Sequence, residues 1–275
     1  MIVVTGATGN VGRPLVQALA AVGAEVRAVS RTAPAADIPA GVEHRQADLL
    51  RVDELAPALA GAHTIFLLTS GEFLGAGGDL GAVVNTVRSA GGRRVVLLSS
   101  QGVGTGNHPS NAEDVVRSSG LEWTILRPGN FASNALQWAE SVRSERAIEA
   151  PFADIALPVI DPADIAAVAA AALLDDSHRG KTYELTGPEA VSPRQQAAAL
   201  GAALGEPVRF TELTRAQARE RMVQFMPEPV VESTLDMLGS PVPALQQVSP
   251  DVERVLGRVP HTFAEWAARN VAAFK

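Results

Sequence analysis

The chain of 275 residues contains no cysteine. This absence excludes disulfide bonds, catalysis by a thiolate and metal sites built on cysteine sulfur. Aromatic residues make up only 4% of the sequence, and a single one of them, Tyr183, is a tyrosine. Any chemistry that needs a tyrosine hydroxyl is therefore confined to one position.

The sequence also lacks clusters of positive charge and long apolar runs. The net charge is −7, the pI is near 5.3, and no basic block exceeds the pair Arg93-Arg94. Nucleic acid and anionic membranes are therefore not expected as partners. The alanine-rich run 165–174 is about half the length of a membrane span, and no signal-peptide pattern precedes the first predicted strand, so we expect a cytoplasmic protein.

The chain does have the length and the apolar content of a folded domain. Hydrophobic residues make up 47% of it and charged residues 19%. Such a composition argues against disorder, and 275 residues suffice for one large α/β domain or for a domain with an appended lobe.

The most informative stretch lies at the N-terminus. Residues 2–4 form a β-branched run typical of a strand buried on both faces, and an apolar helical pattern follows three regularly spaced glycines. Gly6 would allow a tight turn, Gly9 would let a pyrophosphate approach the backbone, and Gly12 would let the helix lie close to the sheet. A diphosphate would bind the N–H groups of the helix that starts near Asn10. Glycines also occur in such turns without a ligand, but the immediate helix and the second strand favour a dinucleotide site.

The type of dinucleotide is indicated one strand later. The ribose-binding position falls at the end of the predicted strand 25–30, roughly 20 residues after the glycines. No acidic residue stands there; instead the chain has Arg31, whose guanidinium would pair with a 2′-phosphate. This predicts NADP(H) rather than NAD(H), with an ordinary solvated arginine as the alternative. Asp48, after a predicted strand at 42–47, would either accept from the adenine amino group or simply start the loop.

The chain alternates predicted strands and helices from residue 1 to 130. This alternation predicts a Rossmann-type α/β fold, a doubly wound parallel sheet with right-handed crossovers. Glycine-rich residues 70–81 predict a flexible connection and residues 102–110 a loop. We place an NADP-binding core at 1–134 and a smaller, mostly helical C-terminal substrate lobe at 135–275, with elements at about 155–186 returning to the core.

Together these residues resemble the NmrA-like group of atypical short-chain dehydrogenases/reductases. The resemblance extends in the family's order over nearly the whole chain. Its matching segments are VVTGATGNVG (3–12), ADL (47–49), VVLLSS (95–100), SGLEWTILRPGNF (119–131), DPADIA (161–166), YELTGP (183–188) and TFAEW (262–266).

The resemblance implies NADP(H) as cofactor and a role for each matching position. Pyrophosphate contacts are implied for Gly6, Thr8, Gly9, Asn10 and Val11; a 2′-phosphate contact for Arg31; adenine contacts for Asp48 and Leu49; ribose and nicotinamide contacts for Leu68, Thr69, Ser99 and Ser100; and closure over the nicotinamide for Pro128, Gly129, Asn130 and Phe131.

The sequence departs from the wider family at the catalytic residues. Standard short-chain dehydrogenases use Tyr-x-x-x-Lys on the helix before the sixth strand, where the lysine charge lowers the tyrosine pKa. Tyr183 lies in a later predicted strand, and residues 103–117 contain no lysine. The pair is therefore missing.

Two functions are compatible with this departure. In the first, NADPH reduces a small apolar electrophile, a quinone, conjugated carbonyl or imine, which needs little enzyme acid because its charge delocalises. His108 is then a candidate proton donor, or an exposed loop histidine, and Asn130 a candidate for orienting a carbonyl. In the second, the protein is a non-catalytic NADP(H) redox sensor that acts through a protein partner.

Neither function calls for a metal, because the histidines are scattered and no carboxylate cluster recurs. The expected partner of the enzyme is a small-molecule substrate. The sequence leaves the oligomeric state open, with a homodimer among the candidates.

Overall fold

The computed structural model describes residues 1–32, 38–69 and 71–275. The strands are β1 (Ile2–Thr5), β2 (Val26–Ser30), β3 (Glu43–Gln46), β4 (Thr64–Leu68), β5 (Arg94–Leu98), β6 (Glu122–Pro128), β7 (Ala147–Pro151), β8 (Leu157–Pro158), β9 (Lys181–Leu185), β10 (Ala190–Val191) and β11 (Arg209–Leu213).

The α-helices are α1 (Gly12–Ala21), α2 (Val52–Leu59), α3 (Gly71–Gly75), α4 (Leu80–Ser89), α5 (Gln101–Gly104), α6 (Asn111–Ser118), α7 (Ala139–Glu145), α8 (Pro162–Leu174), α9 (Pro193–Leu204), α10 (Arg215–Met222), α11 (Glu228–Gly239), α12 (Asp251–Leu256) and α13 (Phe263–Arg269). Short 3₁₀ helices lie at Ala132–Trp138, Asp176–His178, Pro243–Gln246 and Val271–Phe274.

The chain folds into two compact units. The first unit comprises Met1–Pro128, Pro162–Leu185 and Asp251–Arg258, and the second comprises Gly129–Asp161, Thr186–Pro250 and Val259–Lys275. The N-terminal segment of the first unit therefore ends at Pro128, whereas the sequence places the end of the core at residue 134. The segment 162–185 in the first unit lies within the stretch 155–186 that we expected to return to the core.

The first unit is built on a parallel sheet with the order β3-β2-β1-β4-β5-β6-β9. Strand β1 lies inside the sheet, where Val4 is paired with Ala28 on one side and with Phe66 on the other. The order reverses between β1 and β4, as it does in a doubly wound sheet. The predicted Rossmann-type α/β fold is therefore confirmed.

Both faces of this sheet are covered, which explains the continuous apolar runs in its strands. On one face, side chains of β1, β4 and β5 form a core with Leu55 of α2, Val83 of α4 and Val116 of α6. On the other face, α8 packs against α1 and against strands β4 to β6. Alanines dominate α8 and let its backbone lie close to these neighbours.

Two local predictions need adjustment, and one feature of the fold was not predicted. The predicted flexible segment 70–81 contains α3 and the start of α4 from residue 71 onward, because Phe73 is buried in the core at 3% exposure; Ser70 lies outside the described residues. The predicted loop 102–110 begins inside α5, which Ser100 caps by accepting from the Gly102 N–H at 3.1 Å. The parallel pair of β7 with β11 had no recognisable signal in the sequence.

The second unit is mostly helical and has its own apolar core. That core includes Trp266, Phe263 and Phe274, whose rings contact one another. Two short sheets complete it, β8 antiparallel to β10 and β7 parallel to β11. Among the described residues of the chain, no helix combines the length and the apolar character that crossing a bilayer requires.

Candidate functional site

The glycine turn between β1 and α1 forms the first part of the candidate site. Gly6 has a φ of 62°, which glycine adopts without strain, and its carbonyl oxygen accepts from the Gly9 N–H at 3.0 Å. A Cβ on Gly12 would lie 2.1 Å from that same oxygen, so Gly12 permits the close packing of α1 on the turn. A Cβ on Gly9 would meet only this oxygen, at 3.2 Å, and Gly9 is exposed.

The start of α1 has the properties of an anion site. No side chain caps the helix at Val11, and no acidic residue lies in its first turn. The positive end of its dipole and its first N–H groups therefore face a turn whose outer residues, Gly9 and Asn10, are exposed. These residues fit the diphosphate of a dinucleotide, as the sequence predicts.

The end of β2 is held in place by side chains of β3. Ser30 Oγ donates to the Thr32 carbonyl at 2.8 Å and lies 2.8 Å from His44 Nε2. Gln46 Nε2 donates to the Arg31 carbonyl at 2.8 Å. These bonds order the backbone around Arg31. Its guanidinium is exposed and pairs with Glu72 of α3, a partner 41 positions away that sequence reasoning missed.

Asp48 follows β3 and is half-buried. Its Oδ1 accepts from the Leu50 N–H at 3.0 Å, so one carboxylate oxygen shapes the local turn. Leu49 packs against the apolar core of the first unit. The predicted contacts of these residues with adenine stay predictions.

The carboxyl ends of β4 and β5 bring together the next predicted group. Leu68 is paired with Leu98, so Thr69 and Ser99 leave neighbouring strands at the same edge of the sheet. Thr5 Oγ1 ties this edge to β1, because it donates to the Phe66 carbonyl and accepts from the Leu68 N–H, both at 3.0 Å.

Ser100 and His108 form a hydrogen-bonded pair at this edge. Ser100 Oγ lies 3.0 Å from His108 Nδ1, and the His108 N–H donates to the Gly102 carbonyl at 2.9 Å. A Cβ on Gly102 would lie 2.5 Å from His108 Nδ1, so a glycine is needed for the imidazole to reach the serine. Of the two predicted catalytic residues, the structure thus connects His108 to a predicted cofactor-binding serine.

Beside this pair lies a buried charged group that the sequence did not reveal. Glu113 of α6 is fully buried and accepts from Arg127 Nε and Nη2, each at 2.8 Å, and from Ser99 Oγ at 2.7 Å. Arg117 lies 3.0 Å from the same carboxylate. Arg127 also donates to Glu184 of β9 at 3.1 Å. The "Glu113 network" below means Ser99, Glu113, Arg117, Arg127 and Glu184.

The two carboxylates of the Glu113 network have opposite pKa shifts. Burial alone would raise the pKa of Glu113, but hydrogen bonds from Arg127 and Ser99, with the arginine charges, hold it below its ordinary value. Burial raises the pKa of Glu184, because a single hydrogen bond and the charge of Arg127 offset the loss of water only in part. Its Oε2 is buried and has no hydrogen-bond partner among the residues that the structure describes.

The segment after β6 belongs to the second unit from Gly129 onward, while Pro128 ends β6 in the first. Asn130 and Phe131 are half-buried, and the Asn130 carbonyl accepts from the Ile160 N–H at 2.8 Å. Closure of these residues over a nicotinamide, and a catalytic part for Asn130, stay predictions.

The tyrosine of the chain is not on the helix that usually carries the catalytic pair. Helix α6, which precedes β6, has the sequence NAEDVVRS, with neither tyrosine nor lysine. Tyr183 lies on β9, and its hydroxyl is 2.8 Å from His178 Nδ1. The arrangement of Tyr-x-x-x-Lys is therefore not rebuilt on this helix.

Comparison with known proteins places this site in a family. A family model described as NAD(P)H-binding matches residues 6–176, and one described as NmrA-like matches residues 107–266. The chain is 37% identical to the (4-alkanoyl-5-oxo-2,5-dihydrofuran-3-yl)methyl phosphate reductase of Streptomyces griseus, over 100% of this chain and 99% of that protein. It is 33% identical to the NAD(P)H azoreductase of Xenophilus azovorans, over 100% and 99% of the two chains.

Solved structures agree with this placement. The NADPH-dependent quinone oxidoreductase of Escherichia coli, complexed with NADPH, is 26% identical and has a TM-score of 0.81, with 98% of this chain and 99% of that chain covered. The full-length reductases among these relatives confirm the predicted class, an NAD(P)H-dependent oxidoreductase, and the predicted nicotinamide cofactor. The resemblance seen in the sequence is thereby confirmed, and the chain belongs to the NmrA-like family of NAD(P)H-binding proteins.

Proposed function

We propose that the protein transfers hydride from NADPH to a small apolar electrophile whose reacting bond is conjugated with a carbonyl or an equivalent group. The observation that carries this proposal is the Ser100–His108 pair at the carboxyl end of β5, in a chain without Tyr-x-x-x-Lys. A weak, solvent-connected proton source suits an acceptor that delocalises the incoming charge.

The chemistry of such an acceptor explains why a tyrosine and lysine pair is dispensable. NADPH, when bound, supplies the hydride. In a conjugated carbonyl the hydride bonds to the β-carbon, and the electron pair of the C=C bond moves to the carbonyl oxygen as an enolate. One proton then completes the reduction. Because the enolate charge is spread over several atoms, a modest acid or water suffices to deliver that proton.

His108 is positioned to deliver the proton through Ser100. If Nδ1–H donates to Ser100 Oγ across the 3.0 Å contact, the serine hydroxyl can donate its own proton to a substrate oxygen. His108 is exposed, so the imidazole regains its proton from water. Asn130 remains a candidate for orienting the carbonyl, and Arg31 for binding the 2′-phosphate of NADPH.

The relatives support the choice of reacting bond. The Streptomyces griseus enzyme is named for an alkanoyl-substituted oxo-dihydrofuran that carries a methyl phosphate, the Xenophilus azovorans enzyme for azo compounds and the Escherichia coli enzyme for quinones. These acceptors share an electron-poor conjugated double bond. We therefore extend this acceptor class to the present protein.

The first test is turnover by the purified protein. We expect loss of NADPH absorbance in the presence of a naphthoquinone, an acyl-substituted butenolide or an aryl imine, and a lower rate for Arg31→Ala. Absence of turnover with all three acceptors, despite measurable NADPH binding, would instead favour the non-catalytic redox sensor.

The second test addresses the proton donor. His108→Gln should lower kcat by about tenfold with a conjugated carbonyl and change the pH dependence of kcat, since general acids contribute at least this much where water can substitute only in part. His63→Gln, in an exposed loop before β4, is the matched control and should leave kcat unchanged. An unaltered pH profile in His108→Gln would remove His108 from the reaction.

A further inference from the structure

The guanidinium of Arg31 already has an anionic partner in this fold. Glu72 Oε2 accepts from Arg31 Nη1, and the two side chains are 66% and 51% exposed. An exposed ion pair of this kind is weak, so a ligand can displace it. The Glu72 carboxylate therefore competes with the cofactor for the guanidinium of Arg31, the cation predicted to bind the 2′-phosphate.

The position of Glu72 is fixed by its neighbour. Phe73 is 3% exposed and packs in the core of the first unit, and its carbonyl accepts from the Gly78 N–H at 2.9 Å. A Cβ on Gly78 would lie 2.4 Å from the Phe73 ring, so the turn closes tightly on this anchor. Since Glu72 precedes the anchor in α3, the fold presents its carboxylate to Arg31 rather than leaving it on a loose loop.

The position of Arg31 is fixed as well, and a second carboxylate acts on it. Gln46 holds the Arg31 carbonyl at 2.8 Å. The hydrogen bond that Arg31 donates to Glu72 raises the pKa of Arg31, as do the negative charges of Glu72 and Asp48. The guanidinium is thus surrounded by negative charge from two segments of the chain, helix α3 and the turn after β3.

This arrangement has opposite consequences for the two nicotinamide dinucleotides. A 2′-phosphate must displace Glu72 from Arg31 and then remain close to its negative charge, whereas a free 2′-hydroxyl can donate to a carboxylate. We propose that Glu72 is a specificity-determining residue. Its carboxylate weakens the binding of NADPH at Arg31 but does not oppose the binding of NADH, whose free 2′-hydroxyl can donate to it. The proposal rests on the proposed function, because it assumes that Arg31 meets the 2′-position.

Equilibrium binding tests the proposal without any turnover. Nucleotide fluorescence gives Kd for NADPH and for NADH with the unmodified protein, with Glu72→Gln and with Glu140→Gln. The control residue Glu140 forms an exposed ion pair with Arg143 in the second unit. Glu72→Gln should tighten NADPH binding by about two- to fivefold, the range set by weak exposed charge interactions, and should leave the NADH Kd unchanged. Glu140→Gln should change neither Kd.

A charge reversal extends the series. Glu72→Lys places a second cation beside the 2′-position and should tighten NADPH binding by more than Glu72→Gln does. The proposal is overturned if Glu72→Gln leaves the NADPH Kd unchanged, even where Glu72→Lys has an effect. It is equally overturned if both nucleotides shift together, because the carboxylate then supports the fold rather than the choice of nucleotide. Failure of the unmodified protein to bind either nucleotide would instead sink the proposed function itself.

Discussion

Gly9 and Gly12 lie in the same turn and are needed for different physical reasons. A side chain on Gly12 would collide with the backbone of Gly6 and Ala7, which cannot yield without moving α1. A side chain on Gly9 would touch only the Gly6 carbonyl oxygen and would otherwise project into the space that a diphosphate needs. Stability and ligand binding are thus assigned to different positions of one motif.

Alanine substitutions separate these two roles. Gly12→Ala should lower the free energy of unfolding by about 1–3 kcal/mol or more, because the added Cβ would lie 2.1 Å from Gly6 O. Gly9→Ala should cost less than about 1 kcal/mol and raise the NADPH Kd by at least about tenfold, since the methyl group holds the pyrophosphate away from the N–H groups. Urea unfolding and fluorescence titration give the two quantities. A Gly9→Ala protein that binds NADPH normally would contradict the assignment of this turn.

Helix α6 and strands β6 and β9 are joined by the Glu113 network. Glu113 is contributed by the helix, Arg127 by β6 and Glu184 by β9, so one arginine bridges two carboxylates from different elements. The same carboxylate of α6 also receives the hydroxyl of Ser99 at the end of β5. The network thereby positions a predicted cofactor-binding side chain as well as the elements that surround it.

Removing the charge of Glu113 should be costly. We expect Glu113→Gln to lower the free energy of unfolding by about 3–5 kcal/mol, because it leaves the largely buried Arg127 without its bidentate partner. Asp114→Asn, at the next and exposed position of α6, should cost under about 1 kcal/mol. Both values come from urea unfolding monitored by circular dichroism. Equal losses of unfolding free energy in Glu113→Gln and Asp114→Asn would show that the buried ion pair of Glu113 with Arg127 stabilises the fold no more than an exposed charge does.

The pKa of Glu184 is shifted in the opposite direction from that of Glu113, so the contribution of Glu184 to stability should decrease as the pH rises. Its pKa is raised on folding, mainly by burial, so the folded state holds the proton more tightly than the unfolded state does. The stabilisation linked to this proton is present below the unfolded pKa and is lost as the pH rises through the folded pKa.

Glu184→Gln removes this dependence, because the amide remains neutral. The stability of the variant relative to the unmodified protein should therefore increase as the pH rises above about 4, the ordinary pKa range of a glutamate. Urea unfolding at a series of pH values measures the difference. A difference that stays constant, or falls, as the pH rises would show that folding does not raise the pKa of Glu184.

For the molecule as a whole, cofactor binding should appear as stabilisation. A ligand that binds only the folded state at a hundred times its Kd adds about 2.7 kcal/mol to the free energy of unfolding. For a protein of this size, that corresponds to a rise in Tm of roughly 5–10 °C. The cytoplasmic location stays a prediction, the oligomeric state stays open, and neither bears on this result.

Thermal unfolding with each nucleotide checks this expectation. NADPH and NADH should both raise the Tm of the unmodified protein, and Arg31→Ala should reduce the rise with NADPH while it preserves the rise with NADH. The comparison separates the shared diphosphate site at α1 from the 2′-position at Arg31. If Arg31→Ala reduces the rise in Tm equally with both nucleotides, Arg31 supports the fold and does not recognise the 2′-phosphate.

Local patterns of residues were sufficient for the alternation of strands and helices in the first 130 residues, the parallel sheet, the glycine turn and the family. A β-branched run, a glycine spacing and a helical apolar period each act over a few neighbouring residues, so they can be recognised along the chain. The glycine turn was therefore predicted residue by residue, and the departure at Tyr183 was visible without any coordinates.

The pairs that give the site its charge were decided by tertiary folding. Arg31 meets Glu72 across 41 positions, and Arg127 meets Glu184 across 57. No periodicity connects such residues, because they become neighbours only when different strands and loops reach the same edge of the sheet. The sequence could name the arginine predicted to read the cofactor, but only the folded chain shows which carboxylate pairs with it.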